Sequence, residues 1–215
     1  MEAKRIAAKA FAAAILPSNS EVAVKLLEYA LLTEGDKYWI RLEKLRREAL
    51  SIMSLLEGFK PRLVGSVWRG IIKPKSDIDI EVDYVDPEPL RRKLIENGYE
   101  IIDEGPLEVP ENLRQGSLWK IRVRAKTGGD AEIILKEHHW YLNPPKCDIF
   151  GDVRKGLQLQ ELIKVLEESP SRLFIPEGLL RRLHSLINSH RDGLGVGRKR
   201  ILTGLSSPDT SNQKV

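Results

Sequence analysis

The residues of this chain that could do chemistry cluster in one stretch, Gly65-Ser66-Val67-Trp68-Arg69-Gly70-Ile71-Ile72-Lys73-Pro74-Lys75-Ser76-Asp77-Ile78-Asp79-Ile80-Glu81-Val82. Its second half alternates acidic and apolar residues. On a β-strand successive side chains take opposite faces, so Asp77, Asp79 and Glu81 point one way and Ile78, Ile80 and Val82 the other. Like-facing neighbours stand roughly 7 Å apart along a strand. Carboxylates at that spacing repel one another, and hard cations relieve the repulsion. Two of them on a rigid strand can grip a pair of magnesium ions roughly 4 Å apart, the two-metal arrangement for in-line phosphoryl displacement.

The first half supplies the complementary part. Gly65-Ser66 ends a short apolar run, Arg62-Leu63-Val64, and opens a short helix. Glycine lets a phosphate approach the backbone closely, the N–H groups at a helix start face it, and the serine hydroxyl adds a donor. A nucleoside triphosphate with magnesium needs both a phosphate cradle and a metal site. A lone Gly-Ser, or an acidic strand with a buried back face, has an ordinary structural explanation. The combination carries the reading, with Gly65 placed 12 positions before Asp77.

Gly65–Val82 resembles the signature of the DNA polymerase β-like nucleotidyltransferase superfamily: Gly-Ser, a short helix with Arg-Gly, a loop, then Ser-Asp-x-Asp. The spacing is similar to that of the minimal nucleotidyltransferases, and to the CCA-adding and aminoglycoside-modifying branches. With supporting elements the likeness extends over residues 45–135. It implies an α+β fold, a small mixed β-sheet nucleotidyltransferase core flanked by helices. It also implies an enzyme that moves a nucleoside monophosphate from a triphosphate to a hydroxyl acceptor by a two-metal-ion mechanism, releasing pyrophosphate. Asp77 and Asp79 would ligate two Mg2+ ions, with Mn2+ as a substitute, and a third carboxylate would come from a later strand.

Asp130 and Glu132 are the candidates for that third position. Asp130 follows Gly128-Gly129 and reads equally as a hairpin-turn residue. Glu132 repeats the apolar–acid–apolar texture of the first strand and is favoured, although the superfamily more often has aspartate there. It would ligate the metal nearer the acceptor and help the acceptor hydroxyl lose its proton. By the same resemblance Gly65 and Ser66 would hold the β- and γ-phosphates, with Arg69, Lys73 and Lys75 adding positive charge. The alternative is a catalytically inactive member of the fold acting as a nucleic-acid-binding or protein-partner module. The glutamate at 132 and a basic stripe (Lys120, Arg122, Arg124 and Lys126) support it.

The elements that must position these residues fall into four stretches. Residues 1–60 read as helix: Met1–Leu16 closed by Pro17, Val22–Leu32, and a long segment Lys37–Leu56 with Leu42, Leu45, Ala49, Ile52 and Leu56 in one stripe. Residues 61–150 read as the α+β core. It has strands over 62–64, 76–84, 99–102, 118–124 and 131–135, a helix over 89–97, and a hairpin turn at Thr127-Gly128-Gly129-Asp130. Residues 151–192 return to helix, Val153–Glu168 and Gly178–Ser189, split by Pro170 and Pro176. Residues 193–215 read as a flexible basic tail. His138 and His139 adjoin on a segment read as extended, where their rings point apart. No pattern around Cys147 suggests a nucleophile.

Composition sets the outer bounds. The 215 residues carry 35 Lys+Arg against 31 Asp+Glu, a net charge of +4, which is mild evidence for a polyanionic partner. One cysteine excludes a disulfide framework and a thiolate metal centre, so a metal would be held by oxygen. No run of 18 apolar residues predicts a membrane-spanning helix. The basic, Ala-rich start is phased as an amphipathic helix rather than a leader. The expected partners are thus a nucleoside triphosphate and RNA or another anionic acceptor, with no membrane and a cytoplasmic location. Nothing in these patterns fixes the oligomeric state.

Overall fold

The computed structural model describes Ile6, residues 16–83, 86–110 and 114–181, and Leu183. The expected helix over Met1–Leu16, most of that over Gly178–Ser189 and the tail lie outside the described residues. Helix α1 (Asn19–Glu34) starts at a capping box: the Glu21 N–H donates to Ser18 Oγ, and the Ser18 N–H donates to the Glu21 carboxylate. Gly35 separates it from α2 (Asp36–Leu55). The buried face of α2, Tyr38, Leu42, Leu45, Ala49, Ile52 and Met53, follows the expected stripe.

The core is a mixed sheet in the order β3-β4-β5-β2-β1-β6, so the fold is α+β. Its strands are β1 (Arg62–Val64), β2 (Ile78–Asp83), β3 (Glu100–Pro106), β4 (Ser117–Arg124), β5 (Asp130–Lys136) and β6 (Leu157–Gln158). Every pairing is antiparallel except that of β2 with β5. Between the strands lie α3 (Gly65–Arg69), α4 (Pro87–Glu96) and α5 (His138–Leu142), and α6 (Leu159–Glu168) follows β6.

The alternation of the strands sorts the sheet into two faces. Ile78, Ile80, Val82, Ile121, Val123, Ala131, Ile133 and Leu135 are buried in one cluster with α2 and α6. At the usual 25 cal/mol per Å2, each such side chain contributes about 1.5–3 kcal/mol on burial. The other face carries Asp79, Glu81, Lys120, Arg122, Glu132 and Lys136.

Two expected elements differ. Residues 153–158 are not helical: Leu157–Gln158 is a short strand, and only Leu159–Glu168 forms the helix. Gly156, at φ +71°, lies so close to β1 that a Cβ there would be 2.6 Å from the Leu63 carbonyl oxygen. This close approach lets β6 pair with β1 as an edge strand. His138 and His139 open α5 instead of ending a strand. Among the described residues no helix is long and apolar enough to cross a membrane.

Candidate functional site

Strand register brings one row of residues side by side. Arg122 on β4 faces Glu132 on β5, Glu132 faces Asp79 on β2, and Asp79 faces Val64 on β1. Directly paired residues hold their Cβ atoms about 5 Å apart. Asp79 therefore has a carboxylate on one side and an apolar residue on the other, with Asp77 adding charge just ahead of the strand. Its own carboxylate makes no hydrogen bond or ion pair with a described residue. Burial above all, then the charges of Asp77, Glu132 and Glu81, pushes it up to about 7.

Gly65 forms the wall beside this carboxylate. At φ +70° a Cβ on it would sit 1.9 Å from Asp79 Oδ2, so the backbone joining β1 to α3 crosses here only because no side chain is present. The turn after Gly65 is held from α2. The Tyr38 hydroxyl donates to the Gly70 carbonyl at 2.7 Å and accepts the Ile72 N–H at 3.0 Å, and burial pushes it up to about 12. Arg46, fully buried, donates to the Val67 and Trp68 carbonyls at 3.2 and 2.8 Å. These are acceptors a helix C-terminus leaves unpaired. It also reaches the Pro170 and Arg172 carbonyls, and burial lowers it to about 10.

The loop between α3 and β2 is closed by Ser76, whose Oγ accepts from the Ser66 hydroxyl at 3.2 Å and from the Lys73 N–H at 2.8 Å. Gly65, Ser66, Asp77, Asp79 and Glu132 thus come together, and the Lys73 side chain stays exposed on the rim. Arg69 does not join them. Its guanidinium meets both Asp152 oxygens at 2.8 and 2.7 Å and the Phe174 carbonyl at 2.8 Å. It also stacks 4.0 Å from the Trp68 ring. The residue expected to contact phosphate is therefore a buried clamp between α3 and the C-terminal segment.

The remaining acids are sorted by their partners. Asp130 pairs with Arg124 at 2.8 Å across the hairpin, while Glu132 has only Arg122 and Lys120 at 3.7 and 3.8 Å. Of the two candidates, the register places Glu132 beside Asp79. Glu81 is not an available carboxylate: it is buried against Arg62, Arg154 and Lys136 at 2.8, 3.4 and 3.8 Å. His138 Nδ1 lies 2.9 Å from an Asp83 oxygen, further down the same strand.

Asp77, Asp79 and Glu132 offer only carboxylate oxygens, the donor set of a hard divalent cation, and the uncompensated Asp79 beside a side-chain-free glycine wall fits such an ion. Among the described residues no three or more His, Cys, Asp and Glu side chains already converge as a metal-holding group. Ligation would require these side chains to rotate toward one another. Beside Asp77 lies a pocket of about 480 Å3 bounded by α2, the 74–77 loop and the β4–β5 hairpin. It brings in Arg41 and Lys44, which the sequence pattern had hidden among the polar positions of a core-packing helix. No protein-family model matches the chain, and no curated protein matches it either.

Proposed function

We propose that this chain is a magnesium-dependent nucleotidyltransferase of the DNA polymerase β-like kind, transferring a nucleoside monophosphate from a triphosphate to a hydroxyl and releasing pyrophosphate. The observation that supports it best is the pairing of Asp79 with Glu132 on adjacent parallel strands, with Gly65 against the Asp79 carboxylate. Asp77, Asp79 and Glu132 would hold the metal ions, which supply charge neutralisation at the phosphates and a more acidic acceptor hydroxyl. Gly65 leaves room for the Asp79 carboxylate against the backbone, and the Ser66 hydroxyl can turn from Ser76 toward a phosphate. Glu132 would ligate the metal nearer the acceptor and help its hydroxyl lose a proton. Tyr38 and Arg46 act only by fixing the turn that carries these groups.

The test is incubation with each labelled triphosphate and Mg2+ or Mn2+, comparing wild type with Asp79→Asn. The expected outcome is metal-dependent transfer that the variant loses while keeping its fold by circular dichroism. Wild-type protein that neither binds nucleotide nor labels any acceptor overturns the proposal. A second reading has one observation in its favour: Glu132 already lies within ion-pair range of Lys120 and Arg122. On that reading the fold is a non-catalytic binding module, and an Asp77→Asn/Asp79→Asn double variant retains full biological activity.

A further inference from the structure

The pocket beside Asp77 is built from three walls. Arg41 and Lys44 come from α2, Lys75 from the loop before β2, and Arg122 and Arg124 from the end of β4. Against these five cations the lining sets two acids, Asp77 and Asp130. Arg41 and Lys44 are three residues apart on a helix and so share a face. A chain of spaced phosphates could meet more than one of these walls at once.

Several donors in this lining are unspent. Nε and Nη2 of Arg41 and Oγ1 of Thr127 are buried without a hydrogen-bond partner, although Nη1 of Arg41 pairs with Glu34. Buried polar atoms left unpaired are destabilising, so they stand out as places a ligand would satisfy. Among the described residues Lys75, which is exposed, makes no ion pair, and Lys44 reaches only the Thr127 carbonyl at 3.5 Å. The stripe Lys120, Arg122 and Arg124 does lie on the face of Glu132, which puts its charge at the mouth of the carboxylate site.

Size and chemistry narrow the occupant. A pocket of about 480 Å3 is of the size that encloses small ligands. It cannot take a duplex, whose grooves alone are roughly 6–12 Å wide. Among the described residues no aromatic side chain lines it, so nothing there stacks a base and recognition falls on phosphates. A second cavity of about 470 Å3 along α2 shares Lys44 and Thr127 with it, which gives a strand a way out. We infer that this pocket holds the end of a single-stranded nucleic acid by its terminal phosphates, with the terminal hydroxyl directed toward Asp77 and Glu132. The binding surface stands on the pocket alone, and only the direction of the hydroxyl rests on the transferase reading.

The test is fluorescence anisotropy of the full chain with a labelled single-stranded oligonucleotide of mixed sequence, without divalent metal. The variants are Lys44→Glu/Lys75→Glu in the pocket and Lys155→Glu/Lys164→Glu outside it, a matched charge change at exposed positions. Removing two phosphate contacts weakens binding at least about tenfold at 0.1 M salt, and flattens the slope of log affinity against log salt by about 1.4. The control pair is expected to lose less than about threefold. Equal losses in both pairs overturn the proposal, as does displacement of the oligonucleotide by inorganic tripolyphosphate at equal phosphate concentration. The wild-type transfer assay separates the two readings: oligonucleotide binding that persists where no triphosphate is bound or transferred overturns the transferase reading and leaves the pocket standing.

Discussion

Asp79 and Glu81 stand two residues apart on one strand and one face, yet the sheet treats them in opposite ways. Glu81 faces Arg62 across β1, and Lys136 and Arg154 close in from other elements. Asp79 faces Val64 across β1 and Glu132 across β5. One carboxylate is paired within the fold, and the other has no hydrogen-bond or ion-pair partner among the described residues. Acidic residues on a strand therefore divide by their cross-strand neighbours: the satisfied one is structural, and the unsatisfied one is the candidate for a site.

The comparison breaks most visibly at Glu81. Removing its charge leaves Arg62, Arg154 and Lys136 crowded with no counter-ion, and Lys136 is already held below its ordinary value by burial, with Glu81 opposing that shift. Glu81→Gln is expected to cost about 3–5 kcal/mol, the range for breaking a buried pair from one side. Urea denaturation at pH 7 measures it. A loss below about 1 kcal/mol would mean that the cage contributes no more than a surface pair.

The next test bears on how closely the backbone approaches Asp79. Gly65 and Gly98 both have positive φ, +70° and +80°, but a Cβ on Gly98 would meet nothing within 4 Å. Gly98→Ala thus isolates the backbone cost, about 1 kcal/mol. Gly65→Ala adds the collision with Asp79 Oδ2 and is expected to reach about 3 kcal/mol, since the carboxyl must swing out of its rotamer. Equal costs from the two variants would show that Gly65 is needed for its turn and not for Asp79.

Much of this arrangement was legible in the residues, and the illegible parts share a cause. Ile78, Ile80 and Val82 announced the buried face of β2 because alternation is a local pattern, and the Gly65-to-Asp77 spacing pointed to the candidate site for the same reason. The row joining Asp79 to Glu132 needed the strand pairing, which sequence alone only suggests. Arg69 was misplaced because its partner, Asp152, is 83 residues away. Residues 157–158 carry no strand signal because they run directly into α6, and a two-residue edge strand leaves almost no pattern of its own. Glu81 looked equivalent to Asp79 for the same reason: alternation assigns a face, while the charges facing it come from Arg62, Lys136 and Arg154.

The finest version of the comparison is its pH dependence. The Asp79 carboxyl ordinarily titrates near 3.8 and is raised to about 7 in the folded chain, chiefly by burial. Below pH 4 it is protonated in both folded and unfolded states and costs nothing. Between pH 4 and 7 the folded state holds the proton more tightly, so stability falls as pH rises, and the penalty is complete above 7. Asp79→Asn removes the charge at nearly constant volume. The variant should therefore match the wild type at pH 4 and exceed it at pH 8 by about 2 kcal/mol, the full shift at 1.36 kcal/mol per unit discounted for partial solvent access. Denaturation curves in EDTA at the two pH values measure the gap. Millimolar magnesium at pH 8 should narrow it by stabilising the wild type alone. A wild type as stable as Asp79→Asn at pH 8 in EDTA would mean that Asp79 is as well compensated as Glu81, and the distinction between the two carboxylates would fall.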